Sequence, residues 1–333
     1  MSVSGRHHEN SKNDEAEMRL ELPTAVEAAP ILRAFQTVAR ASSAVDERQA
    51  AMIQSARVVL GADLPSEPLT PITPEELAGA VTRPAVRSQL IQGMVVLSLL
   101  DEEAEPGELA EIQSFATALD VAPDELKNLR QIVEENTMAL RLDVARRIWL
   151  VDRLKQAWAE GGFRWLVRSM ATLKLMDDNS VADRYRALAD YPEGSLGRTY
   201  YDHMREVGFP LPGEKGSQVE AVFIHDLTHL VSGYGTDATG EVLTAAFSAG
   251  NRGKDPFTYI FFVLCQFHLG KSFSPFAPTA TGEFDAAAAI WATRRGMEVN
   301  VDMTETWDYW PDLELPVEDV RVRLGMTLPL AGS

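Results

Sequence analysis

Hydrophobic residues recur every three or four positions through most of the first half of the chain, as in "AAMIQSARVVL" and "QLIQGMVVLSLL". Because positions three and four apart share one face of an α-helix, this pattern predicts amphipathic helices from about residue 24 to residue 160. No segment of the second half shows the sustained period-two alternation of a half-buried strand. The sequence therefore predicts an all-α fold.

Three of the predicted helices share a starting pattern, in which a proline is followed by acidic residues. These prolines are Pro74, Pro106 and Pro123. Proline at the first helical position loses no hydrogen bond, and acidic side chains in the first turn face the positive end of the helix dipole. Thr73 and Glu76 also fit a capping box. We therefore expect helices to start at these three prolines.

The composition changes near residue 147, where tryptophan, tyrosine, glycine and proline become frequent. The length of 333 residues also exceeds that of most single domains. We therefore predict two helical domains, residues 24–146 and residues 147–333. Residues 1–23 are polar and charged, which predicts a disordered tail in which His7 and His8 are solvated.

The formal net charge of -18 and the pI of about 4.8 oppose binding to nucleic acid. The single cysteine, Cys265, lies in an apolar run and cannot form an internal disulfide, which fits a reducing compartment and a buried, inert thiol. The N-terminal residues have no signal-peptide or transit-peptide pattern, and no apolar stretch reaches the roughly 18 residues of a membrane helix. We expect a cytoplasmic protein that is not secreted and whose membrane contact is peripheral, at the inner face.

The segment "HDLTHLVSGYGTDATGE", residues 225–241, contains the strongest candidate site. His225 and His229 are four positions apart, so on a helix they share a face and can reach one ion. Apolar neighbours surround the pair, so each imidazole needs a hydrogen bond or a metal once it is buried. Asp226 points about 100° away from His225, which suits a flanking ligand, a group that orients the histidine, or a base.

Glu241 can join the histidine pair only if the chain reverses direction. On a continuous helix it would lie about 120° from the histidine face and more than roughly 15 Å along the axis. Gly233 and Gly235 are typical of a helix end, and "GEVLTAAFSAG" is typical of a second helix that brings Glu241 back. Two imidazoles and one carboxylate are a common ligand set for catalytic zinc, although other divalent metals accept the same ligands.

The histidine pair and the neighbouring motifs also have interpretations that do not involve a metal ion. A histidine pair at this spacing also occurs in buried helices without metal, and His268 is expected to be a core histidine of that kind. The aromatic run "DPFTYIFFVLCQFHLG" around it either fills the core or lines an apolar pocket. The acidic turn "DEEAEPGELAEI" does not fit an EF-hand, because Pro106 and Ile112 replace the required glycine and glutamate.

The residues His225-Asp226, His229 and Glu241 have the form HDxxHx11E, which resembles the signature of the coenzyme Q biosynthesis protein 4 family. The upstream segment "YPEGSLGRTYYDHM" is similar to the family's Pro-x-Gly-Thr-Leu-Gly segment, with Ser195 in place of threonine. The downstream segments "RRGMEVN" and "ETWDYWPDLELPVEDVRVRLG" are similar to its closing segments. The resemblance covers roughly residues 165–327.

This resemblance implies an all-helical domain that binds zinc through His225, His229 and Glu241, with Asp226 as a further metal ligand or as the catalytic acid–base group. It also implies a channel for a prenylated aromatic, lipid-like substrate and oxidative decarboxylation at ring C1 in ubiquinone biosynthesis. A cation that polarises the carboxylate and an aspartate that moves a proton suit this chemistry. The resemblance further implies other biosynthetic enzymes as partners, and we expect a homodimer.

The N-terminal domain resembles a different group of proteins. Its run "LIQGMVVLSLLDEEAEPGELAEIQSFATALDVAPDEL" is loosely similar to the TerB-like helical domains associated with tellurite resistance. Usual members of the coenzyme Q family lack such a domain. Two alternative functions therefore stay open: a non-catalytic lipid-binding scaffold that organises a biosynthetic complex, and a zinc hydrolase with Asp226 as its general base.

Overall fold

The computed structural model describes residues 19–41, 45–61, 69–101, 105–121, 126, 127, 129, 179–217, 222–272 and 279–330. Within these ranges the chain forms α-helices joined by turns and two 3₁₀ segments, and its β-pairing is limited to the isolated bridges Ser195–Pro316 and Leu269–Thr281. The helices are α1 (Ala25–Ala39), α2 (Glu47–Val59), α3 (Pro74–Ala80), α4 (Pro84–Leu97), α5 (Pro106–Ala118), α6 (Asn179–Arg186), α7 (Leu196–Glu206), α8 (Phe223–Ser232), α9 (Ala238–Asn251), α10 (Phe257–Phe267), α11 (Ala286–Gly296) and α12 (Val317–Arg323). The predicted all-α fold is confirmed for the described residues.

Two of the three predicted helix starts fall within the described residues. Helix α3 begins at Pro74 and α5 begins at Pro106, as the sequence predicts, whereas Pro123 lies outside the described residues. Helix α4 begins at Pro84 without an acidic first turn. Proline at the first helical position is therefore the signal that these three starts share.

Only one half of the predicted capping box forms. The backbone N–H of Glu76 donates to the Thr73 hydroxyl at 3.2 Å, but the Glu76 carboxylate pairs with Arg33 at 2.6 Å. The guanidinium of Arg33 also donates to the carbonyls of Thr70 and Pro71. The Glu76 carboxylate thus pairs with Arg33 of α1 and does not complete the capping box that the sequence predicts.

The last residues of the predicted tail lie against the start of α4. Arg83 pairs with Glu21 at 2.8 Å and with the buried Glu27 at 2.6 Å, and it donates to the carbonyl of Leu22. The hydrogen bond from Arg83, which outweighs burial, lowers the pKa of Glu27 to about 2. Residues 1–18 lie outside the described residues, as do the domain boundary predicted near residue 147 and His7 and His8.

Helices from both predicted domains contribute to one hydrophobic core. Helix α2 packs against α11, and α4 packs against α10. His268, just after α10, is fully buried, and its Nε2 donates to the carbonyl of Leu100 at 2.9 Å. His268 is therefore a core histidine whose ring joins the N-terminal helices to the C-terminal ones.

Helices α9 and α11 approach each other closely enough to bring their backbones into contact. A Cβ atom on Gly250 would lie 2.2 Å from the carbonyl oxygen of Thr293, and one on Gly296 would lie 2.0 Å from the carbonyl oxygen of Phe247. Only glycine fits at these two positions. The close packing fixes the position of α9, which carries Glu241 in its first turn.

Helix α10 is rich in apolar residues and lies largely in the core. Phe257, Phe261 and Phe267 are buried, Tyr259 and Phe262 are partly buried, and Cys265 is buried as predicted. None of the helices in the described ranges combines the length and the apolar character that crossing a membrane requires.

Candidate metal centre

The chain reverses direction between α8 and α9, as the glycines of the segment predict. Gly233 caps the C-terminal end of α8 in a left-handed conformation with a φ of 83°, and its N–H donates to the carbonyl of His229. Asp237 caps α9, and its side chain accepts from the N–H of Gly240 at 2.8 Å. The reversal returns the first turn of α9, and with it Glu241, to the histidine face of α8.

Three of the four predicted ligands converge at this reversal. Nε2 of His225 lies 3.3 Å from one oxygen of Glu241, and Nε2 of His229 lies 3.4 Å from the other. The ligand atoms of all three residues lie within 4.8 Å of one another. In the described part of the chain, this is the one group of three or more such side chains arranged to hold a metal ion.

The spacing of these atoms exceeds that of a strong direct hydrogen bond. A charge-assisted hydrogen bond between nitrogen and a carboxylate is about 2.7–2.9 Å long. Two ligand atoms that each lie about 2.0–2.1 Å from a tetrahedral ion are about 3.3–3.4 Å apart. The observed separations of 3.3 and 3.4 Å are measured to the two different oxygens of Glu241, and they leave room for a cation between the three side chains.

The ring of His229 is fixed from its other side. Its Nδ1 lies 2.8 Å from the carbonyl oxygen of Gly235 and 3.0 Å from the hydroxyl of Thr244. A carbonyl oxygen can only accept, so Nδ1 carries a proton, and Nε2 is the nitrogen left to present a lone pair to a metal ion. That Nε2 is buried and has no hydrogen-bond partner. A backbone carbonyl behind the ring is the usual support of a metal-binding histidine.

Because Gly240 has no side chain, the carbonyl of Gly235 can lie close to α9 and accept from His229. A Cβ atom at residue 240 would lie 1.9 Å from the carbonyl oxygen of Gly235, which is the acceptor for His229. Gly233 and Gly235 predict the turn from the sequence, but the roles of Gly240 and Thr244, which lie near Glu241 on α9, were not predicted. The usable signal is helical spacing, because Thr244 follows Glu241 by three positions and so shares its face.

Asp226 lies outside the convergent group. Its Oδ1 is 3.8 Å from Nδ1 of His225, the ring nitrogen on the side away from Glu241. At 3.8 Å this contact is longer than a hydrogen bond, although it lies on the side from which a group that orients the histidine would act. The roles of Asp226 as a direct ligand and as the catalytic group stay predictions.

The site has a buried end and an open end. The side chain of His229 is 4% exposed, whereas that of His225 is 38% exposed and that of Asp226 is 30% exposed. A ligand can therefore reach the cluster from the side of His225.

The electrostatics of the cluster favour a cation. Burial acts to lower the pKa of His225, but the carboxylates of Asp226 and Glu241 outweigh it and raise the pKa to about 10. Burial acts to raise the pKa of Glu241, but His225 and His229 outweigh it and lower the pKa to about 2. The two carboxylates thus stabilise positive charge on the ring of His225, and a metal ion that binds there replaces the ring proton.

Two arginines hold the C-terminal end of α8. Arg321 donates to the carbonyls of Val231 at 2.8 Å and Leu230 at 3.2 Å, and Arg295 donates to the carbonyl of Ser232 at 2.9 Å. These carbonyls have no partner within the helix, and cations at this end are favoured by the helix dipole. Both arginines lie in the downstream segments that resemble the family, but the sequence did not predict this contact with α8.

The segment at residues 192–197 is hydrogen-bonded to residues 313–315, which belong to the segment downstream of the histidine motif. The N–H groups of Leu196 and Gly197 donate to the carbonyls of Leu315 and Leu313, both at 2.8 Å. Ser195 caps α7 by accepting from the N–H of Arg198. The two segments that flank the histidine motif in sequence therefore meet in space and frame α7 beside α8.

The described residues thus define an all-α protein with a cluster of two histidines and one glutamate that could hold a metal ion. The chain matches no protein-family model, and it matches no curated protein significantly.

Proposed function

We propose that His225, His229 and Glu241 bind a divalent metal ion, zinc in first place, and that the site acts on an aromatic carboxylic acid. The observation that carries the proposal is the buried Nε2 of His229, which has no hydrogen-bond partner and lies 3.4 Å from Glu241. Leaving a buried polar atom unpaired costs about 1–3 kcal/mol. A cation held between Nε2 of His229 and the carboxylate of Glu241 would give both groups a partner.

The protein's own residues account for binding and orientation in this proposal. His225, His229 and Glu241 hold the ion, and Asp226 lies at the more exposed side where it can hold or move a proton. A bound divalent ion supplies a Lewis acid that polarises a substrate carboxylate and stabilises the charge that develops as carbon dioxide leaves. The buried side of His229 excludes water from one face of the site.

The substrate proposed is a prenylated aromatic acid that reacts at ring C1, as in ubiquinone biosynthesis. The support for it is the resemblance of the HDxxHx11E residues and their flanking segments to the coenzyme Q biosynthesis protein 4 family. The bond between the ring and the carboxyl carbon breaks, and a carbon–oxygen bond to a water-derived hydroxyl forms. Carbon dioxide and two protons leave, and two electrons pass to an external two-electron acceptor such as a quinone.

Metal quantification tests the first part of the proposal. Metal-free protein is incubated with zinc and desalted, and its zinc is measured by elemental mass spectrometry. We expect about one zinc per chain in the wild type and less than about a tenth of that in Glu241→Gln and in the His225→Ala, His229→Ala double variant. Glu283→Gln is the matched control, because Glu283 accepts from Thr239 near the start of α9 but lies outside the cluster.

A turnover assay tests the second part. A prenylated 4-hydroxybenzoate labelled with ¹³C in its carboxyl group is incubated with zinc-loaded protein and a two-electron oxidant, and labelled carbon dioxide is measured. We expect release that disappears in Glu241→Gln and persists in Glu283→Gln. Zinc binding without turnover would reduce the site to a structural one, and unchanged zinc content in the double variant would disprove the ligand assignment.

A further inference from the structure

A cavity of about 270 Å³ lies beside the C-terminal end of α8. Its lining includes Ser232 of α8 but no member of the His225, His229 and Glu241 cluster. The lining residues that define its chemistry are Arg295 of α11, Arg321 and Val322 of α12, and Met326, Leu328 and Leu330, which follow α12 in the chain. We call this space the arginine cavity.

The lining of the arginine cavity has a net positive charge. It contains two guanidinium groups and one carboxylate, that of Glu318. The Glu318 side chain pairs with Arg321 but is 78% exposed, and an ion pair with so exposed a partner contributes little. The carbonyls at the end of α8 add the equivalent of about half a negative charge. The two arginines therefore outweigh the negative charge around them.

Arg295 brings a buried charge to this lining. Its residue is 4% exposed, and no carboxylate in the described ranges forms an ion pair with it. The guanidinium donates to the carbonyls of Ser232 at 2.9 Å and Leu328 at 3.4 Å. Because a guanidinium has five N–H groups, donors remain for an acceptor in the cavity. A carboxylate would supply the opposite charge, and its two oxygens suit the guanidinium fork.

Apolar side chains form much of the remaining lining. Val322 is 74% exposed and Leu330 is 51% exposed. Single exposed apolar side chains are common on protein surfaces, but these two adjoin the same cavity together with Met326 and Leu328. A hydrocarbon tail that covers them removes apolar surface from water. The cavity therefore suits a ligand with one anionic end and one apolar end.

We infer that the arginine cavity binds a small monocarboxylic acid, whose carboxylate pairs with Arg295 and Arg321 and whose tail covers Val322 and Leu330. The volume of about 270 Å³ equals that of roughly nine water molecules at about 30 Å³ each, which is close to the ten non-hydrogen atoms of octanoate. The inference goes beyond the proposed function, because no ligand of the metal ion lines this cavity.

The test measures the binding of octanoate by isothermal titration calorimetry. The full-length protein is kept in a chelator, so that no metal ion can bind the carboxylate, and in 0.15 M salt, where the Debye length of about 8 Å screens the overall negative charge. Octylamine has the same tail with a positive charge, and acetate has the carboxylate without the tail. We expect one octanoate per chain with a dissociation constant below about 1 mM, and binding at least about tenfold weaker for the other two compounds.

Val322→Asp locates the ligand. The substitution places a carboxylate on the wall of the cavity, so it should weaken octanoate binding by about tenfold or more through repulsion of like charges. Val58→Asp is the matched control, because Val58 is 63% exposed on α2 and does not line the cavity. Its binding should stay within about twofold of the wild type. Both side chains are exposed, so the unfolding temperatures, measured in parallel, should change little.

The His225→Ala, His229→Ala double variant separates this site from the metal centre. It should bind octanoate within about twofold of the wild type, and a loss of binding would place the acid at the metal centre and overturn the inference. Equal binding of octanoate and octylamine would show contact with apolar surface alone, which also overturns it. The same holds if octanoate does not bind the wild type, or if Val322→Asp binds it as tightly as Val58→Asp does.

Discussion

Nδ1 of His229 lies 2.8 Å from the carbonyl oxygen of Gly235, and this contact decides which ring nitrogen faces Glu241. The turn that reverses the chain therefore also orients a ligand. Because the carbonyl can only accept, the proton stays on Nδ1 and the Nε2 lone pair is kept for a cation. The geometry of the turn and the orientation of the ligand thus depend on the same five residues, Gly233–Asp237.

Thr244→Val should weaken zinc binding without unfolding the protein. The Thr244 hydroxyl lies 3.0 Å from Nδ1 of His229, and loss of such a supporting contact costs about 10- to 100-fold in metal affinity. Competition with a chromogenic chelator measures the change. Thr228→Val is the control, because Thr228 is buried on α8 but bonds only to the carbonyl of Ile224. Equal affinity in the two variants would show that Thr244 does not support the ligand.

Gly240→Ala should reduce both stability and zinc affinity. The new Cβ would lie 1.9 Å from the carbonyl oxygen of Gly235, so the turn must shift and His229 loses its acceptor. We expect a loss of about 1–3 kcal/mol in the free energy of unfolding, measured with urea. A Cβ on Gly79 of α3 meets nothing within 4 Å, so Gly79→Ala should be neutral or stabilising by up to about 1 kcal/mol. Similar effects from both substitutions would contradict the close approach.

Glu108→Gln should remove a pH dependence of stability between pH 4.5 and 7. Burial raises the pKa of Glu108 from 4.5 to about 7 against the hydrogen bond from Gln49, and the charges of Asp101 and Glu105 raise it further. Below pH 4.5 both the folded and the unfolded states hold the proton, so no penalty applies. As the pH rises toward 7, only the unfolded state releases it, so the free energy of unfolding falls.

This fall should level off above pH 7 and amount to about 1–3 kcal/mol, since each unit of pKa shift corresponds to about 1.4 kcal/mol. The variant keeps an oxygen that accepts from Gln49 but cannot ionise, so urea unfolding at several pH values should show a flatter profile over this range. An identical pH profile in wild type and variant would show that Glu108 does not titrate in this range.

Arg321→Met should destabilise the fold through the end of α8. The guanidinium donates to the carbonyls of Val231 and Leu230, and the methionine keeps most of the aliphatic packing but no donor. We expect a loss of about 1–2 kcal/mol in the free energy of unfolding. Arg294→Met, which removes the same charge from α11, should change it by less than about 0.5 kcal/mol. A loss of equal size in both variants would indicate a general charge effect.

The local chemistry of the chain determines its helices and some of their ends. Hydrophobic spacing predicts an all-α protein, and Pro74 and Pro106 mark helix starts, because side-chain periodicity and proline geometry act within one or two turns of the backbone. The spacing of His225 and His229 and the glycines beyond them likewise predict a histidine pair followed by a reversal.

Only the tertiary structure decides which groups meet across helices. It places the Glu241 oxygens 3.3 and 3.4 Å from the Nε2 atoms of His225 and His229. It also pairs Glu76 with Arg33 and places Asp226 on the Nδ1 side of His225. Such distances depend on the close packing of α9 against α11 and on the arginines that hold α8, and these contacts join residues far apart in the chain. The hydrophobic pattern of each helix does not determine these contacts, because helices with the same pattern can pack against each other at different angles.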